Sequence, residues 1–512
     1  MNAIGIASSS QIAADAGADI AVAGGNAVDA AIAAALVSMT TEPGVCSLGG
    51  GAYLTISPPD GEALTIDGNV EMPGRGLAAE ELGRGTHEAV LQYGGGVTTV
   101  VGHGSIGTPG ALSALHMAHS RFGRLPWREL FGPAIDWARD GFPLPQASYN
   151  YLKFAHESVY GWQAESHAAL HDESGALLSH GDKVMVAGLA DSLERIARVG
   201  AQDFYTGEIG AMIAADCRQH DGPLGRADLE AYTPVVRAPL TSRLGQWRIS
   251  TNPPPAVGGA TLTAMLMLLS RDAPRHDKPD PERRAAIARW VLTYRRENLD
   301  LADDIEKAAN EMLEACGEDS VRAPSTVHTS AVDNGGLACA LTASAGYGAG
   351  VISPGTGIWM NNCLGEIELN RRGLVPGPPG TRLVSNMAPC TAHGDNGALL
   401  AIGSPGADRI TTALAQTLDN FITYGMDLKD AIDAPRLHID MSGAEPRLHL
   451  EPGIEIEQYD LPRVEHGEHA MYFGGVGAAM MHANGDFEVA ADPRRTGGRR
   501  IVFTPDDGAT GP

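Results

Sequence analysis

The run TVHTSAVDNGGLACALTAS, residues 326–344, constrains the fold of this chain more than any other stretch. Two strand-forming segments flank Asn334-Gly335, a pair suited to the left-handed backbone of a tight hairpin turn. Folding about 333–336 predicts that Thr342, Ala343 and Ser344 lie beside Thr326, to within one residue of register. Upstream the periodicity is helical. NAVDAAIAAALVSM (26–39) places Val28, Ile32, Ala35, Leu36 and Met39 at helical spacing behind a suitable N-cap, Asn26. Further helices are expected within 108–142, 184–216 and 261–270, punctuated by glycine and proline. RDAPRHDKPDPERR opens a charged connection over about 271–325, within which a heavily charged helical segment is expected near 282–316. A helix-rich part, 1–325, therefore precedes a strand-rich part, 326–512.

Of 512 residues, 43% are hydrophobic and 19% charged, enough to bury a large core. With 37 Lys+Arg against 62 Asp+Glu, the net charge of −25 argues against a nucleic-acid partner, because a phosphate backbone calls for a basic surface. Cys46, Cys217, Cys316, Cys339, Cys363 and Cys390 are widely spaced, which fits neither a zinc site nor a disulfide framework. MNAIGIASSSQ lacks the basic and apolar regions of a secretory signal, and the most apolar stretch, 27–39, is short and contains Asp29. A cytoplasmic protein is expected, with no membrane partner and no metal or organic cofactor.

A threonine hydroxyl is a poor nucleophile unless an amine or imidazole removes its proton. Scission between Ser325 and Thr326 would supply an α-amine titrating near ~7.7–8.0. His328, on the same strand face, could tune that threonine, but reads first as a packed strand histidine. Gly49–Gly51 and GYGAG (346–350) fit no phosphate-loop pattern and read as tight turns. His466, Glu468 and His469 (HGEH) have no third ligand cluster nearby and read as a solvated turn. Asp29 reads as a helix-to-turn hydrogen-bonding group.

GGNAVDAAIAAAL (24–36), EPGVCSLGGGAYL (42–54), GTPGAL (107–112), PPPAVGGATL (253–262), TVHTSAVD (326–333), NNCLGE (361–366) and GSPGADRI (403–410) follow one another along the chain. In that order they resemble the successive signatures of γ-glutamyltranspeptidases, and DGFP (140–143) and DAPRLH (433–438) fit the same pattern. The resemblance implies an α+β chain folded as the four-layer αββα sandwich of N-terminal nucleophile (Ntn) hydrolases. It implies a precursor that cuts itself between Ser325 and Thr326, leaving a large chain, 1–325, associated with a small chain, 326–512. By position, Thr326 matches the nucleophile, Ser344 the supporting hydroxyl, and Glu366 the acid that holds a substrate amino group. Gly406 and Ala407 match the oxyanion-hole pair, a role their main-chain N–H groups can fill unless Ala407 needs a positive φ. Ser385-Asn386 stands where the family has a substrate-binding serine pair. The family arginine that clamps the substrate α-carboxylate falls at Ala79, and Arg75 is the nearest substitute.

Without that bidentate clamp, the catalytic machinery is expected to persist while γ-glutamyl recognition weakens. EMPGRG and NNCLGE are similar to a divergent branch of the family. That branch includes carbon–carbon bond hydrolases in the biosynthesis of alkylproline-containing antibiotics, of the lincomycin or pyrrolobenzodiazepine type, and amide acylases. Three functions follow from these readings. The first is a hydrolase or acyltransferase acting on a carbonyl of a small amino-acid-like substrate. The second is a carbon–carbon hydrolase, and the third an uncleaved, non-catalytic binding protein.

Overall fold

Period-two alternation in the hairpin sets the layering. In the strand Ala338–Ser344, the side chains of Cys339, Leu341 and Ala343 enter one core, while Ala338 and Ala340 enter another. The protein is described by a computed structural model over residues 2–91, 96–271, 278–316, 327–443, 445–457 and 459–505.

A seven-stranded sheet runs in the order Gly498–Thr504, Asn2–Ser8, Val327–Asp333, Ala338–Ser344, Gly51–Ser57, Leu64–Gly68, Val235–Arg237. Every neighbouring pair is antiparallel. The hairpin occupies the middle of this sheet, with Val327 paired to Ala343, inside the register range expected. Ser325 and Thr326 lie outside the described residues. A second sheet of six strands runs Phe487–Ala491, Gly477–Met481, Leu399–Gly403, Cys390–Gly394, Trp247–Thr251, Leu240–Leu244. Mostly small side chains separate the two sheets: Ala7, Val332, Ala338 and Ala340 meet Leu399, Ala401, Ala479 and Val489. Helices Gln11–Val22 and Ala27–Thr41 cover the outer face of the first sheet. Helices Gly258–Arg271 and Arg409–Leu418 cover that of the second. This is the four-layer αββα sandwich of Ntn hydrolases, an α+β fold.

Ala27–Thr41 is buried all round, so its ends must satisfy their own backbone. Asn26 and Asp29 form a capping box. Asp29 Oδ2 also accepts from the N–H groups of Arg124, at 2.9 Å, and Leu125, at 3.2 Å, the turn-binding role read for it in the sequence.

The two sequence regions interleave rather than segregate. The first sheet takes four strands from before residue 325 and three from after it. The helical segment expected near 282–316 forms two helices, Pro281–Tyr294 and Ile305–Cys316, which bury Val291, Leu292, Met312 and Leu313 in the second sheet's core rather than lying on a solvated connection. Among the described residues no helix is long and apolar enough to cross a membrane. All six cysteines are buried and unpaired.

Ala340 is fully buried in this inter-sheet layer. Ala340→Leu is expected to cost about 1–3 kcal/mol by overpacking, read as a fall in the denaturation midpoint at unchanged m-value.

Candidate active site

The strand end at Ser344 is held by a close backbone approach. A side chain at Gly50 would run into the Ser344 carbonyl oxygen, so this glycine lets the two segments touch. Asn361 then fastens three motifs together. Its Nδ2 donates to Gly49 O at 2.7 Å and Gly107 O at 2.9 Å, and its Oδ1 accepts from Gly107 N–H at 3.1 Å. Both glycine-rich segments read as turns in the sequence serve this architecture. In the second, the Tyr347 carbonyl accepts from the hydroxyls of Tyr151 and Tyr160, each at 2.7 Å.

Past the strand the chain turns through Gly346, whose φ is +65°. Ser344 Oγ accepts from Gly346 N–H at 3.0 Å. Glu366 lies over this turn: a Cβ at Gly346 would sit 2.8 Å from Glu366 Oε1 and would also meet Asn362 Oδ1. Although half-buried by exposed area, Glu366 has its carboxyl enclosed. Burial, reinforced by the charge of Glu368, pushes it up to about 8, and a hydrogen bond with Cys363 only partly offsets this. Glu368 is itself raised by burial, and Tyr347 Oη donates to it at 2.5 Å.

Ser344, Glu366, Gly406 and Ala407 line one cavity of about 90 Å³. Gly406 has φ +135° and Ala407 φ +53°, a left-handed backbone that is costly for alanine. The pair precedes the helix Arg409–Leu418. Among the described residues, the N–H groups of Gly406 and Ala407 have no acceptor. Beside them Asp408 resists the upward pull of burial, because Arg409 and His438 hold its carboxyl well below the usual range. Ser385 and Asn386 line a smaller pocket with Ser344 and Glu366, and Asn386 Oδ1 is buried without a partner among the described residues. A larger cavity of about 510 Å³ joins Glu366, Asn386 and Ala407 to Tyr347, Glu368, Arg371 and Tyr472.

Arg75 is not brought into this group. Its guanidinium lies 3.4 Å from Asp228 and 3.6 Å from Glu71, and it lines none of these three cavities. His328 is a packed strand residue, between Thr342 Oγ1 at 2.9 Å and Ser330 Oγ at 2.6 Å, and burial lowers it to about 3. His466 of HGEH bonds His449 at 2.9 Å and stacks on Tyr472. Sequence reasoning missed Tyr347, Glu368 and Tyr472, for which only the glycines around Tyr347 offered a signal.

The gamma-glutamyltranspeptidase family model matches residues 13–315 and 291–502. The chain is 29% identical to the glutathione hydrolase proenzyme of Escherichia coli, over 96% of this chain and 90% of that one. It is 31% identical to the glutathione hydrolase 5 proenzyme of Mus musculus, over 87% and 84%. Its fold is similar to that of the cephalosporin acylase from Bacillus halodurans, with a TM-score of 0.79 at 24% identity, covering 98% of this chain and 95% of that one. Solved LmbA2991HD gives a TM-score of 0.78 at 19% identity, over 98% of each chain.

Gly346→Ala would force an alanine into φ +65° and against Glu366. A loss of roughly 1–3 kcal/mol is expected from the backbone alone, with activity falling further than stability because Glu366 must shift. Paired denaturation and turnover measurements check this.

Proposed function

This chain belongs to the gamma-glutamyltranspeptidase family, and from that premise we propose that it is an autoprocessing hydrolase or acyltransferase with Thr326 as its nucleophile. The observation that best supports this reading is the convergence of Ser344, Glu366, Gly406 and Ala407 on one cavity, at the sheet end where the Val327–Asp333 strand begins. After scission of Ser325–Thr326, the new α-amine takes the hydroxyl proton as Thr326 Oγ attacks a substrate carbonyl. The N–H groups of Gly406 and Ala407 receive the oxyanion, helped by the positive end of the helix behind them. The leaving group departs with the amine's proton, and water or an acceptor amine then releases the acyl group. Ser344 supports the threonine hydroxyl, Glu366 takes a substrate ammonium, and Ser385 and Asn386 offer polar contacts.

The substrate is a small amino-acid-like molecule, and the 510 Å³ cavity has room for an acyl group of drug-like size. Relatives named as glutathione hydrolases support an amide substrate. An exposed Ala79 at the family's arginine position and an Arg75 already paired elsewhere favour weak binding of a free γ-glutamyl group. The same departures keep the carbon–carbon reading in play, since attack on a ketone passes through an equivalent oxyanion and releases a stabilised carbanion. Cytoplasmic placement belongs to this reading too, supported by six buried thiols without a disulfide.

Processing is the direct test. Dividing 53.4 kDa in the ratio 325:187 gives chains of about 34 and 20 kDa on a denaturing gel, while Thr326→Ala should stay whole and inactive. Full activity in uncut wild-type protein would sink the mechanism. Poor turnover of γ-glutamyl-p-nitroanilide beside good turnover of another amide or of a ketone substrate is expected, and the better of those two names the bond.

Binding should also follow the proton on Glu366. Because that carboxyl ionises near 8 in the folded enzyme, KM for an ammonium-bearing substrate should fall as pH rises from about 6 to 8. Stability moves the other way. The unfolded chain releases this proton near 4.5 and the folded one near 8, so this group costs stability as pH rises through that window. Glu366→Gln should flatten both trends while leaving the chain processed. Retention of the KM trend in that variant would remove Glu366 from the ammonium site.

A further inference from the structure

Away from the candidate active site, three metal-ligating side chains meet. His103 belongs to the short turn His103–Ser105, and Asp216 and His220 lie one turn apart at the end of helix Glu208–Gln219. One ligand atom from each lies within 4.8 Å of the other two. Asp216 Oδ2 lies 3.2 Å from His103 Nε2, and His220 Nδ1 lies 2.9 Å from the Asp216 main-chain oxygen and 3.2 Å from its Oδ1. The imidazole rings stack at 4.3 Å. The Asp216 side chain is 10% exposed, and among the described residues it pairs with no lysine or arginine. A carboxylate so removed from water needs a counter-charge, and the groups facing it are nitrogen ligands.

We propose that His103, Asp216 and His220 form a binding site for a divalent transition metal of the zinc type. Two imidazoles and one carboxylate suit Zn²⁺, Co²⁺ or Ni²⁺, whereas Mg²⁺ and Ca²⁺ prefer all-oxygen sets. Spacing i, i+4 already sets Asp216 and His220 on one helix face. The His220 side chain is 49% exposed, which provides an entry path and room for a water as fourth ligand. The site braces rather than reacts. The segment leading to His103 is bonded to the one carrying Glu366: Val100 N–H donates to Gly365 O at 2.9 Å, and Leu364 N–H donates to Ser105 O at 3.2 Å. A metal here ties helix Glu208–Gln219 to that support. The assignment does not depend on which bond the enzyme cleaves.

The test uses the full chain, stripped with EDTA, desalted and titrated with Zn²⁺ against a chromophoric chelator. One Zn²⁺ per chain is expected, with a rise in Tm, and Co²⁺ should give visible d–d absorption. His220→Ala, at a half-exposed position, should keep the fold but lose about tenfold or more in affinity, together with the Tm rise and the Co²⁺ bands. Asp216→Asn should weaken binding similarly, and His469→Ala, in the other histidine-rich run, should leave it unchanged. Equal Zn²⁺ affinity in wild type and His220→Ala, or no binding by folded wild type, overturns the assignment.

Discussion

A hairpin with no free edge organises this molecule. Val327–Asp333 is paired on its outer side with Asn2–Ser8, and Ala338–Ser344 with Gly51–Ser57. The middle of the sheet therefore comes from the second half of the chain, and the strand next to it on each side from the first sixty residues. Backbone hydrogen bonds on both sides, and a core filled from both sides, hold the hairpin irrespective of what joins residue 316 to residue 327. In the proposed mechanism a cut beside this hairpin would leave two chains that share one sheet and two cores.

The same constraint places the chemistry. Register carries Ser344 to the sheet end where the Val327 strand starts, and Gly50 lets the strand end rest on backbone. Asn361 then pulls 49, 107 and 363 onto that end, which turns Glu366 over Gly346. The cavity so formed combines the enclosed Glu366 carboxyl with a left-handed Gly406-Ala407 corner. Each is unfavourable by itself. Glu366 is held protonated at neutral pH by burial, and Ala407 is held at positive φ. Strain and desolvation meeting at one cavity are the features by which a candidate functional site is recognised.

Legibility from sequence divided along physical lines. The Asn334-Gly335 turn, the Ala27–Thr41 helix with its Asn26 cap, and the packed role of His328 depend on contacts within a few residues, or on alternation that any strand obeys. Arg75 shows the opposite case. Alignment brought it near the substrate by proximity in sequence, but Asp228, 153 positions away, holds its backbone N–H at 2.9 Å and its guanidinium at 3.4 Å. Glu368 gave no recognisable pattern, and Tyr347 only its flanking glycines, because their place in the site comes from a hydrogen bond between them and a shared cavity. Asn2–Ser8 shows no turn signal of its own, and its partner strands lie at 327–333 and 498–504.

By itself the sequence determined the elements, their hydrophobic faces and the family, because those follow from periodicity, turn chemistry and the order of short motifs. Only the tertiary structure decided which groups share a cavity, which arginine is already paired, and which carboxyl keeps its proton. Those depend on distance and on exclusion of water between residues far apart in the chain. Neither spacing nor composition encodes the local dielectric that raises Glu366, or the backbone angle that Ala407 must adopt.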